Sequence, residues 1–256
     1  MREVRLQQLH DAVVERGTVQ VPRLATQFGV SQETIRRDLD HLAQLGLVVR
    51  TRGGAVAPGS SLTERDLHLR AQENRLEKRA IARAVVDRLV TDGISIGLDG
   101  GSTTLEIARA LRNRRVTVVT NSLSAINELA GTDATLVVLG GTFRARSMSV
   151  VGAMTERAAD QLHCDLALIS APAMTVEQGP MDTDLEGIEV KRAFIRRAHR
   201  TYAVVDHTKL GRTAFATICE PTDLSGLVTD DGADVSALEA FRALGLDVII
   251  GTRNDA

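Results

Sequence analysis

Apolar residues near the start of the chain recur at helical spacing. The positions lie four, three and three residues apart, which predicts an amphipathic helix with one buried stripe. They are Ile35, Leu39, Leu42 and Leu45. Ser31 stands where the N-cap of this helix belongs, because its hydroxyl can accept a hydrogen bond from a backbone N–H of the first turn.

Two further helices are predicted upstream of this one. Residues 21–28 have Pro22 near their first turn, where a missing N–H costs nothing, and Gly29 follows as a terminator. Residues 4–15 form an earlier amphipathic helix. Two helices joined by a tight glycine-containing turn predict a helix-turn-helix, with the earlier helix as its cover.

A β-hairpin is predicted directly after the helix-turn-helix. The β-branched run at 48–49 and the glycine pair at 53–54 indicate a strand, a turn and a return strand. Arg50 and Arg52 are expected at its tip. A recognition helix followed by such a basic hairpin is typical of winged-helix proteins that bind duplex DNA.

The polar face of the predicted recognition helix carries side chains that can reach phosphates and base edges. The candidate DNA-binding residues are Ser31, Gln32, Glu33, Thr34, Arg36 and Arg37 from the helix and Arg50 and Arg52 from the hairpin. A double arginine alone would usually be a solvated helix face, but here it coincides with the predicted turn and hairpin.

From residue 94 onward the pattern changes to β-branched runs that alternate with helical segments, which predicts a mostly parallel α/β sheet. Ligands of such sheets bind outside the carboxyl ends of the strands. The predicted strands are 94–98, 116–120, 136–139, 166–170, 202–205, 227–229 and 248–250.

Polar turns follow three of these strands. Residues 99–104 (DGGSTT) open a helix, and glycine N–H groups, hydroxyls and the helix N-terminus all favour an anion. Asn121 follows the next strand, and Gly141 with Arg144 follows the third. The three turns predict one anion-binding pocket. A merely tight strand-to-helix turn is the alternative for the first of them.

The chain has three lysines among its 31 basic residues, which leaves 28 arginines. Lys191 opens a predicted amphipathic helix, and Lys209 closes the strand-end segment VVDHTKLG. An ammonium group suits phosphate or hydroxyl oxygens. For Lys78, a bias of the genome towards arginine explains the residue equally well.

With 256 residues the chain is too long for one winged helix. We predict a DNA-binding domain at 1–57, a linker at 58–75 and a sensing domain at 76–256. The net charge of −2 divides into +2 for residues 1–57 and −4 for the rest, which fits DNA contact confined to the first domain.

Several classes of protein are disfavoured. Cys164 and Cys219 share no CxxC spacing, so neither a disulfide framework nor a zinc site is indicated. We expect no metal and no cofactor. The N-terminus lacks an apolar signal segment and no run approaches the ~20 apolar residues that span a bilayer, so a cytoplasmic protein is expected.

Both halves of the chain resemble the DeoR family of bacterial sugar-metabolism regulators. The likeness lies in RLQQLHDAVVERG and SQETIRRDLDHLAQLGLVVRTRGGAV, then in IGLDGGSTTLEIARAL, VVTNS, LGGTFR, VVG, EVKRA and VVDHTKLG. The family often has histidine where this chain has Arg52. Residues 170–174 (SAPAM) replace a turn that is usually rich in glycine.

The resemblance implies a winged helix-turn-helix followed by a sensor domain similar in fold to ribose-5-phosphate isomerase. It also implies a pocket for a phosphorylated sugar. The residues matched to that pocket are Gly101, Ser102, Thr103, Thr104, Asn121, Gly141, Arg144, Lys191, Asp206 and Lys209.

These observations predict a DNA-binding transcriptional regulator, a homo-oligomeric repressor of carbohydrate-metabolism genes that a phosphorylated sugar or related metabolite releases from a double-stranded operator. The expected assembly is a dimer or a tetramer, and no enzymatic activity is expected.

The alternative is a sugar-phosphate isomerase with a DNA-binding appendage, since carboxylates near a lysine can transfer protons. The acids concerned are Asp182, Asp184, Glu186 and Glu189, beside Lys191. They equally fit a solvated loop and helix start, and VKRAFIRRA lacks the glycine-rich segment of the isomerases. A DNA-binding structural protein without a ligand is disfavoured by the three phosphate-suited turns.

Overall fold

The computed structural model describes residues 2–16, 18–45, 47–51, 53–56 and 66–253. The chain divides into two compact units, Met1–Thr63 and Glu64–Ala256. Arg52 and residues 57–65, which include the first part of the predicted linker, lie outside the described residues.

The N-terminal unit combines three helices with a three-stranded antiparallel sheet of order β1-β3-β2. Its elements are α1 (Arg2–Arg16), β1 (Thr18–Gln20), α2 (Val21–Phe28), α3 (Gln32–Gln44), β2 (Val49–Thr51) and β3 (Gly54–Val56). The predicted helix-turn-helix and hairpin are confirmed. Strand β1, which pairs with β3, is not predicted because three residues are too few for a periodic pattern.

The turn between α2 and α3 follows from two residues. Gly29 ends α2 in the left-handed conformation, with φ of 62°, which glycine adopts without steric cost. Ser31 caps α3, and its Oγ accepts the backbone N–H of Thr34 at 3.1 Å.

The apolar stripe of α3 is buried at Ile35, Leu39 and Leu42, but the prediction that Leu45 belongs to it is wrong. Leu45 is 60% exposed. The helix ends at Gln44, and ten residues at about 100° each place Leu45 about 80° away from the direction of Ile35.

The predicted linker, 58–75, contains a helix of the C-terminal unit. Helix α4 (Leu67–Gln72) is capped by Asp66, Leu67 is 1% exposed, and its backbone N–H donates to the carbonyl of Arg146 at 2.9 Å. The predicted start of the sensing domain at residue 76 is therefore too late. A six-residue helix is too short for its periodicity to be recognised.

The C-terminal unit is built on one seven-stranded parallel sheet of order β15-β14-β12-β9-β4-β5-β6. Each of the seven predicted strands lies in it. The sheet strands are β4 (Ser95–Leu98), β5 (Thr117–Thr120), β6 (Thr135–Val138), β9 (Cys164–Ile169), β12 (Ala198–Val204), β14 (Gly226–Asp230) and β15 (Asp247–Gly251).

Helices cover both faces of this sheet, as parallel sheets require. One face packs on the buried stripe Ile81, Val85 and Leu89, and the other packs on residues such as Phe194. The helices are α5 (Arg75–Leu89), α6 (Ser102–Ala110), α7 (Leu123–Leu129), α8 (Ala153–Ala159), α9 (Leu185–Arg197) and α10 (Val235–Ala243).

Two small antiparallel sheets stand outside the seven strands and were not predicted, because strands of two to four residues carry little alternation. One pairs β7 with β8, and the other has the order β10-β11-β13. Their strands are β7 (Thr142–Arg144), β8 (Ser149–Val151), β10 (Ala173–Thr175), β11 (Gly179–Asp182) and β13 (Ala216–Thr217).

The strand order reverses next to β4. The chain proceeds outward from β4 through β5 to β6, and then crosses to β9 on the other side. The segments that follow β4 and β9 therefore run to opposite faces of the sheet and leave a crevice between them, the position at which open α/β sheets bind their ligands.

Gly54 and Gly53 provide a matched test of the hairpin. A Cβ at Gly54 would lie 1.8 Å from the backbone oxygen of Val19, whereas a Cβ at Gly53 meets nothing within 4 Å. We expect Gly54→Ala to separate β1 from β3 and to lower the free energy of unfolding of the N-terminal unit by about 1–3 kcal/mol. The free energy of unfolding of Gly53→Ala should stay close to that of the natural chain. Urea unfolding followed by circular dichroism distinguishes the two, and equal stability of both variants would contradict the prediction.

Candidate functional site

The recognition helix α3 presents its charged side chains to solvent as predicted. Arg36 and Arg37 have side chains 51% and 77% exposed, and both pair with Glu33, at 3.7 and 3.4 Å. Exposed pairs of this kind contribute little to stability, so both guanidinium groups can exchange Glu33 for a phosphate or a base edge.

The polar residues at the start of α3 have different roles. Gln32 and Glu33 are exposed, but Ser31 and Thr34 hydrogen-bond to each other. The Ser31 hydroxyl is therefore a helix cap first, and any contact with DNA would be additional to that role.

Arg50 is not at the tip of the hairpin, contrary to the prediction. It lies in β2, its Nε donates to Asp40 of α3 at 2.7 Å, and its Nη1 donates to the carbonyl of Gly54. The guanidinium thus joins the hairpin to the recognition helix. The other predicted hairpin contact, Arg52, lies outside the described residues.

A second arginine joins α1 to α3, and sequence reasoning missed it. Asp38 is 2% exposed and accepts a hydrogen bond from Arg5 Nε at 2.7 Å. An acidic residue three positions after Ile35 and one before Leu39 is the only signal that could have indicated a buried partner.

We expect Arg37→Ala to weaken operator binding by ~1–3 kcal/mol if its fork contacts a base, with relaxed preference at that base pair. Arg88→Ala is the matched control, because Arg88 is also an exposed helical arginine but lies in the other unit. The measurement is a gel shift on duplexes that the natural chain selects from a random pool. Equal affinity of the Arg37 variant and the natural chain would remove Arg37 from the DNA contact.

At the crevice of the sheet, a buried lysine is enclosed by oxygen atoms from three segments. Lys191 Nζ lies 2.5 Å from Asp182 Oδ2, 2.8 Å from the carbonyl oxygen of Ser170 and 3.3 Å from Asp99 Oδ2. Ser170 also donates to Asp99, through Oγ at 2.9 Å and through its backbone N–H at 3.2 Å. Lys191 therefore joins the carboxyl ends of β4, β9 and β11.

The charges of this cluster are stabilised by one another. Burial disfavours the Lys191 ammonium, yet the Asp182 and Asp99 carboxylates raise its pKa above the ordinary value. Burial likewise opposes the Asp182 carboxylate, but Lys191 and two backbone N–H groups hold its pKa below 3.8. For Asp99 burial prevails and raises the pKa. A lysine held as a cation in this way cannot serve as a proton acceptor.

Asp182 and Asp184 are 9% and 7% exposed, so the interpretation of this stretch as a solvated loop is wrong for them. Asp184 accepts a hydrogen bond from Arg144 Nη1 at 2.5 Å, and Glu186 lies 3.3 Å from the same nitrogen. Arg144, predicted to contact an effector, is thus already paired with two carboxylates.

The turn after β4 is built partly for its own packing. Thr104 is completely buried, and its Oγ1 accepts the Gly101 N–H at 2.9 Å and donates to the carbonyl of Asp99 at 2.9 Å. A Cβ at Gly101 would lie 1.9 Å from Ser170 Oγ. Thr104 therefore has a structural role, and Ser170, from the segment that departs from the family pattern, fills the space above Gly101.

Polar groups remain available around this turn. Ser102 and Thr103 form the first turn of α6, whose N–H groups have no acceptor within the helix. Asn121 is buried and its Nδ2 donates to the carbonyl of Val150 at 2.8 Å, while its Oδ1 has no partner among the described residues. A buried acceptor of this kind is normally satisfied by a donor such as a bound water or a ligand.

A second polar cluster lies at the carboxyl end of β12. Asp206 is completely buried, and its Oδ1 accepts hydrogen bonds from Asn74 Nδ2 at 3.0 Å and from the backbone N–H of Thr208 at 3.1 Å. Its Oδ2 is 4.0 Å from Lys209 Nζ. Asn74 was not predicted, and its left-handed conformation, with φ of 48°, is visible only in the structure.

Lys78, whose presence the sequence left open, is a buried residue of this region. Its Nζ donates to the carbonyls of Arg70 and Glu73 at 2.5 and 2.6 Å, where α4 ends. Burial lowers the pKa of Lys78 to about 8.

The predicted effector residues therefore form two groups on one edge of the sheet. Most of them surround the ends of β4, β5 and β9, and Asp206 and Lys209 follow β12, the neighbour of β9. The segments beside the two groups are joined by the backbone N–H of Gly211, which donates to the carbonyl of Met174 at 2.9 Å. Gly141 has φ of 152°, and a Cβ there would lie 2.1 Å from Thr155 Oγ1, so its role is at least partly one of packing.

Asp182 and Asp99 make a pair of variants with different expected outcomes. Asp182→Asn should lower the free energy of unfolding at pH 7 by about 3–5 kcal/mol, because it removes one partner of a buried ion pair. Asp99→Asn should cost less, since burial already favours the neutral form of that carboxyl.

The contribution of Asp182 to the free energy of unfolding depends on pH. Because the folded pKa of Asp182 is depressed, its contribution is complete above the unfolded value of about 3.8 and is lost as the pH falls through the folded pKa. The difference between the natural chain and Asp182→Asn should therefore narrow below about pH 4. Urea unfolding at several pH values measures it, and a larger loss in Asp99→Asn would contradict the assignment.

No helix among the described residues has the length and apolar character needed to cross a membrane. Among the same residues, no group of three or more His, Cys, Asp or Glu side chains could hold a metal ion.

Family models match both units of the chain. The DeoR-like helix-turn-helix domain matches residues 5–61, and the DeoR C-terminal sensor domain matches residues 73–231. The chain belongs to the DeoR family of transcriptional regulators, and it is a DNA-binding regulator rather than an enzyme.

Named relatives are similar over 83–94% of their own length. The chain is 31% identical to the glycerol-3-phosphate regulon repressor of Escherichia coli K12, covering 91% of this chain and 94% of the relative. It is 32% identical to the transcriptional regulator GolR of Listeria innocua, covering 91% and 92%. The transcriptional repressor AccR of Agrobacterium fabrum is 33% identical, with 83% of each chain covered.

Solved structures with similarity include ribose 5-phosphate isomerase A from Methanocaldococcus jannaschii, at 21% identity and a TM-score of 0.40 over 54% of this chain and 55% of the isomerase. The full-length sorbitol operon regulator SorC from Klebsiella pneumoniae is 13% identical, with a TM-score of 0.42 over 92% of this chain and 97% of SorC.

Proposed function

We propose that this regulator is a repressor of carbohydrate-metabolism genes and that a phosphorylated sugar or related metabolite releases it from its operator. The observation that carries the proposal is the first turn of α6 at the crevice between β4 and β9. Ser102 and Thr103 there offer hydroxyls and backbone N–H groups at the positive end of a helix, beside the unpartnered Oδ1 of Asn121.

Different residues of the two clusters are proposed to contact the anionic end and the hydroxyls of the ligand. Lys191 is enclosed by protein oxygens, so its ammonium supports the crevice and does not bind the anion. The first turn of α6 and Lys209 are then the groups that receive the anionic end. The unpaired Asn121 Oδ1 accepts from a hydroxyl, which a sugar or polyol phosphate supplies and inorganic phosphate supplies poorly.

The names of the relatives support this class of effector. One relative is a glycerol-3-phosphate regulon repressor, and its similarity extends over 94% of its length. A polyol phosphate has the anion and the adjacent hydroxyls that the crevice is suited to bind.

Release from DNA requires that the effector bind one conformation of the chain more tightly than another, since a ligand shifts an equilibrium only by its differential affinity. We further propose that the chain acts in the cytoplasm as a homo-oligomer, a dimer or a tetramer. Helix-turn-helix dimers place two recognition helices on half-sites about one helical turn apart.

The experiment uses Lys209→Ala. Loss of one charge-assisted contact, worth ~1.5–3 kcal/mol, should raise the effector concentration needed for DNA release while the repressor still binds its operator. A thermal-shift assay of the natural chain with glycerol 3-phosphate, ribose 5-phosphate and glucose 6-phosphate first identifies a compound that binds. A ligand at 100 times its Kd raises the free energy of unfolding by ~2.7 kcal/mol, which such an assay detects. Operator release is then titrated with that compound.

Arg115→Ala is the control, because this exposed arginine precedes β5 at the opposite edge of the sheet. The effector concentration that releases Arg115→Ala from the operator should equal that of the natural chain. An unchanged response in Lys209→Ala would exclude Lys209 from the pocket. Failure of all three phosphates to stabilise the natural chain would argue against the proposed class of effector.

A further inference from the structure

A histidine held by a buried aspartate lies beside the second polar cluster. His207 Nδ1 is 2.7 Å from Asp230 Oδ2, and the backbone N–H of His207 donates to Asp230 Oδ1 at 2.8 Å. Asp230 is completely buried at the carboxyl end of β14. The aspartate therefore fixes both the main chain and the ring of His207.

This arrangement selects one tautomer of the imidazole. Asp230 Oδ2 also accepts the backbone N–H of Gly232 at 3.0 Å, so the carboxylate acts only as an acceptor here. The neutral ring must then carry its proton on Nδ1 and present Nε2 with a free lone pair. An imidazole fixed in this way recognises a hydrogen-bond donor.

The His207 ring is covered on one edge and is partly exposed overall. A Cβ at Gly232 would lie 2.7 Å from Nδ1 and 2.9 Å from Cε1, so the chain closes over that edge, yet the His207 side chain remains 30% exposed. Because Asp230 holds Nδ1, Nε2 is the ring nitrogen that is left to contact a ligand. His207 and Lys209 belong to the same turn of 3-10 helix, which Asp206 caps.

We infer that His207 determines specificity in the effector pocket: its Nε2 accepts a hydrogen bond from a hydroxyl of the effector whose anionic group Lys209 attracts. The inference rests on the proposed function. A phosphoryl dianion has no donor for Nε2, so the contact discriminates hydroxylated phosphates from phosphates that lack a hydroxyl. Asp230 is a positioning residue that acts through the ring.

Two substitutions of His207 separate its two nitrogens. In His207→Asn the amide nitrogen occupies the position of Nδ1 and can still donate to Asp230, but the atom that faces the ligand is lost. In His207→Gln the amide extends to the position of Nε2. His199→Asn is the matched control, because His199 is exposed on β12, the strand that precedes the turn of His207, at the opposite edge of the sheet.

The measurement is the Kd of the full chain, by calorimetry, for three hydroxylated phosphates and the alkyl phosphates of equal carbon number. The pairs are glycerol 3-phosphate with propyl phosphate, ribose 5-phosphate with pentyl phosphate, and glucose 6-phosphate with hexyl phosphate. The pair to follow is the one whose hydroxylated member binds the natural chain most tightly. For that pair, the Kd of the alkyl phosphate divided by the Kd of the hydroxylated phosphate should fall by about 3- to 10-fold in His207→Asn, as expected for the loss of one hydrogen bond. His207→Gln should recover part of the ratio, and His199→Asn should keep it.

Binding of the alkyl phosphate should be nearly equal in all of these chains, which shows that the His207 variants are folded and keep the anion contact. An unchanged ratio in His207→Asn would overturn this inference and leave the proposed function intact. An equal loss of both ligands would assign His207 a structural role and would also overturn it. Failure of the natural chain to bind any of the hydroxylated phosphates would overturn both.

Discussion

The enclosure of the Lys191 ammonium by Asp99, Asp182 and Ser170 is the interaction on which the C-terminal unit depends. These oxygens come from the ends of three strands that belong to two different sheets. A buried cation must have such partners, because leaving it or either carboxylate alone in the interior is costly. The requirement draws the ends of β4, β9 and β11 together and thereby shapes the crevice where the strand order reverses.

The same enclosure limits the chemistry that the crevice can perform on a ligand. A lysine whose proton is retained by two carboxylates cannot exchange it with a ligand. The groups proposed to contact the ligand are the hydroxyls and backbone N–H groups of the α6 turn, the amide of Asn121, Lys209 and His207. Binding energy is then available for shifting a conformational equilibrium, which is what a regulator requires.

The arginines of the N-terminal unit have two roles, since some hold the fold together and others are left exposed. Arg5 and Arg50 connect α1 and the hairpin to α3 through Asp38 and Asp40, so they position the recognition helix. Arg36 and Arg37 are left exposed on that helix. A unit with a charge of only +2 can therefore bind DNA through a few placed guanidinium groups, while Asp38 and Asp40 hold Arg5 and Arg50 in structural positions.

The sequence by itself determined the elements whose signal is local. Helical spacing at Ile35, Leu39 and Leu42, the cap at Ser31, the glycine at 29 and the seven β-branched runs each reflect a backbone preference or a periodic burial that neighbouring residues reveal. Strand ends could also be located, which brought Ser102, Asn121 and Asp206 to one edge of the sheet.

Only the tertiary structure decided which of these side chains are free to bind. Arg50, Arg144, Lys191 and Thr104 were predicted as ligand contacts, yet each is bonded to residues that are distant along the chain or enclosed in its own turn. The partners of Asn74 and His207 are likewise 132 and 23 positions away. The local sequence pattern shows which hydrogen bonds and ion pairs a side chain can form. Whether residues of the protein already supply those partners depends on long-range contacts, which exist only once the chain has folded.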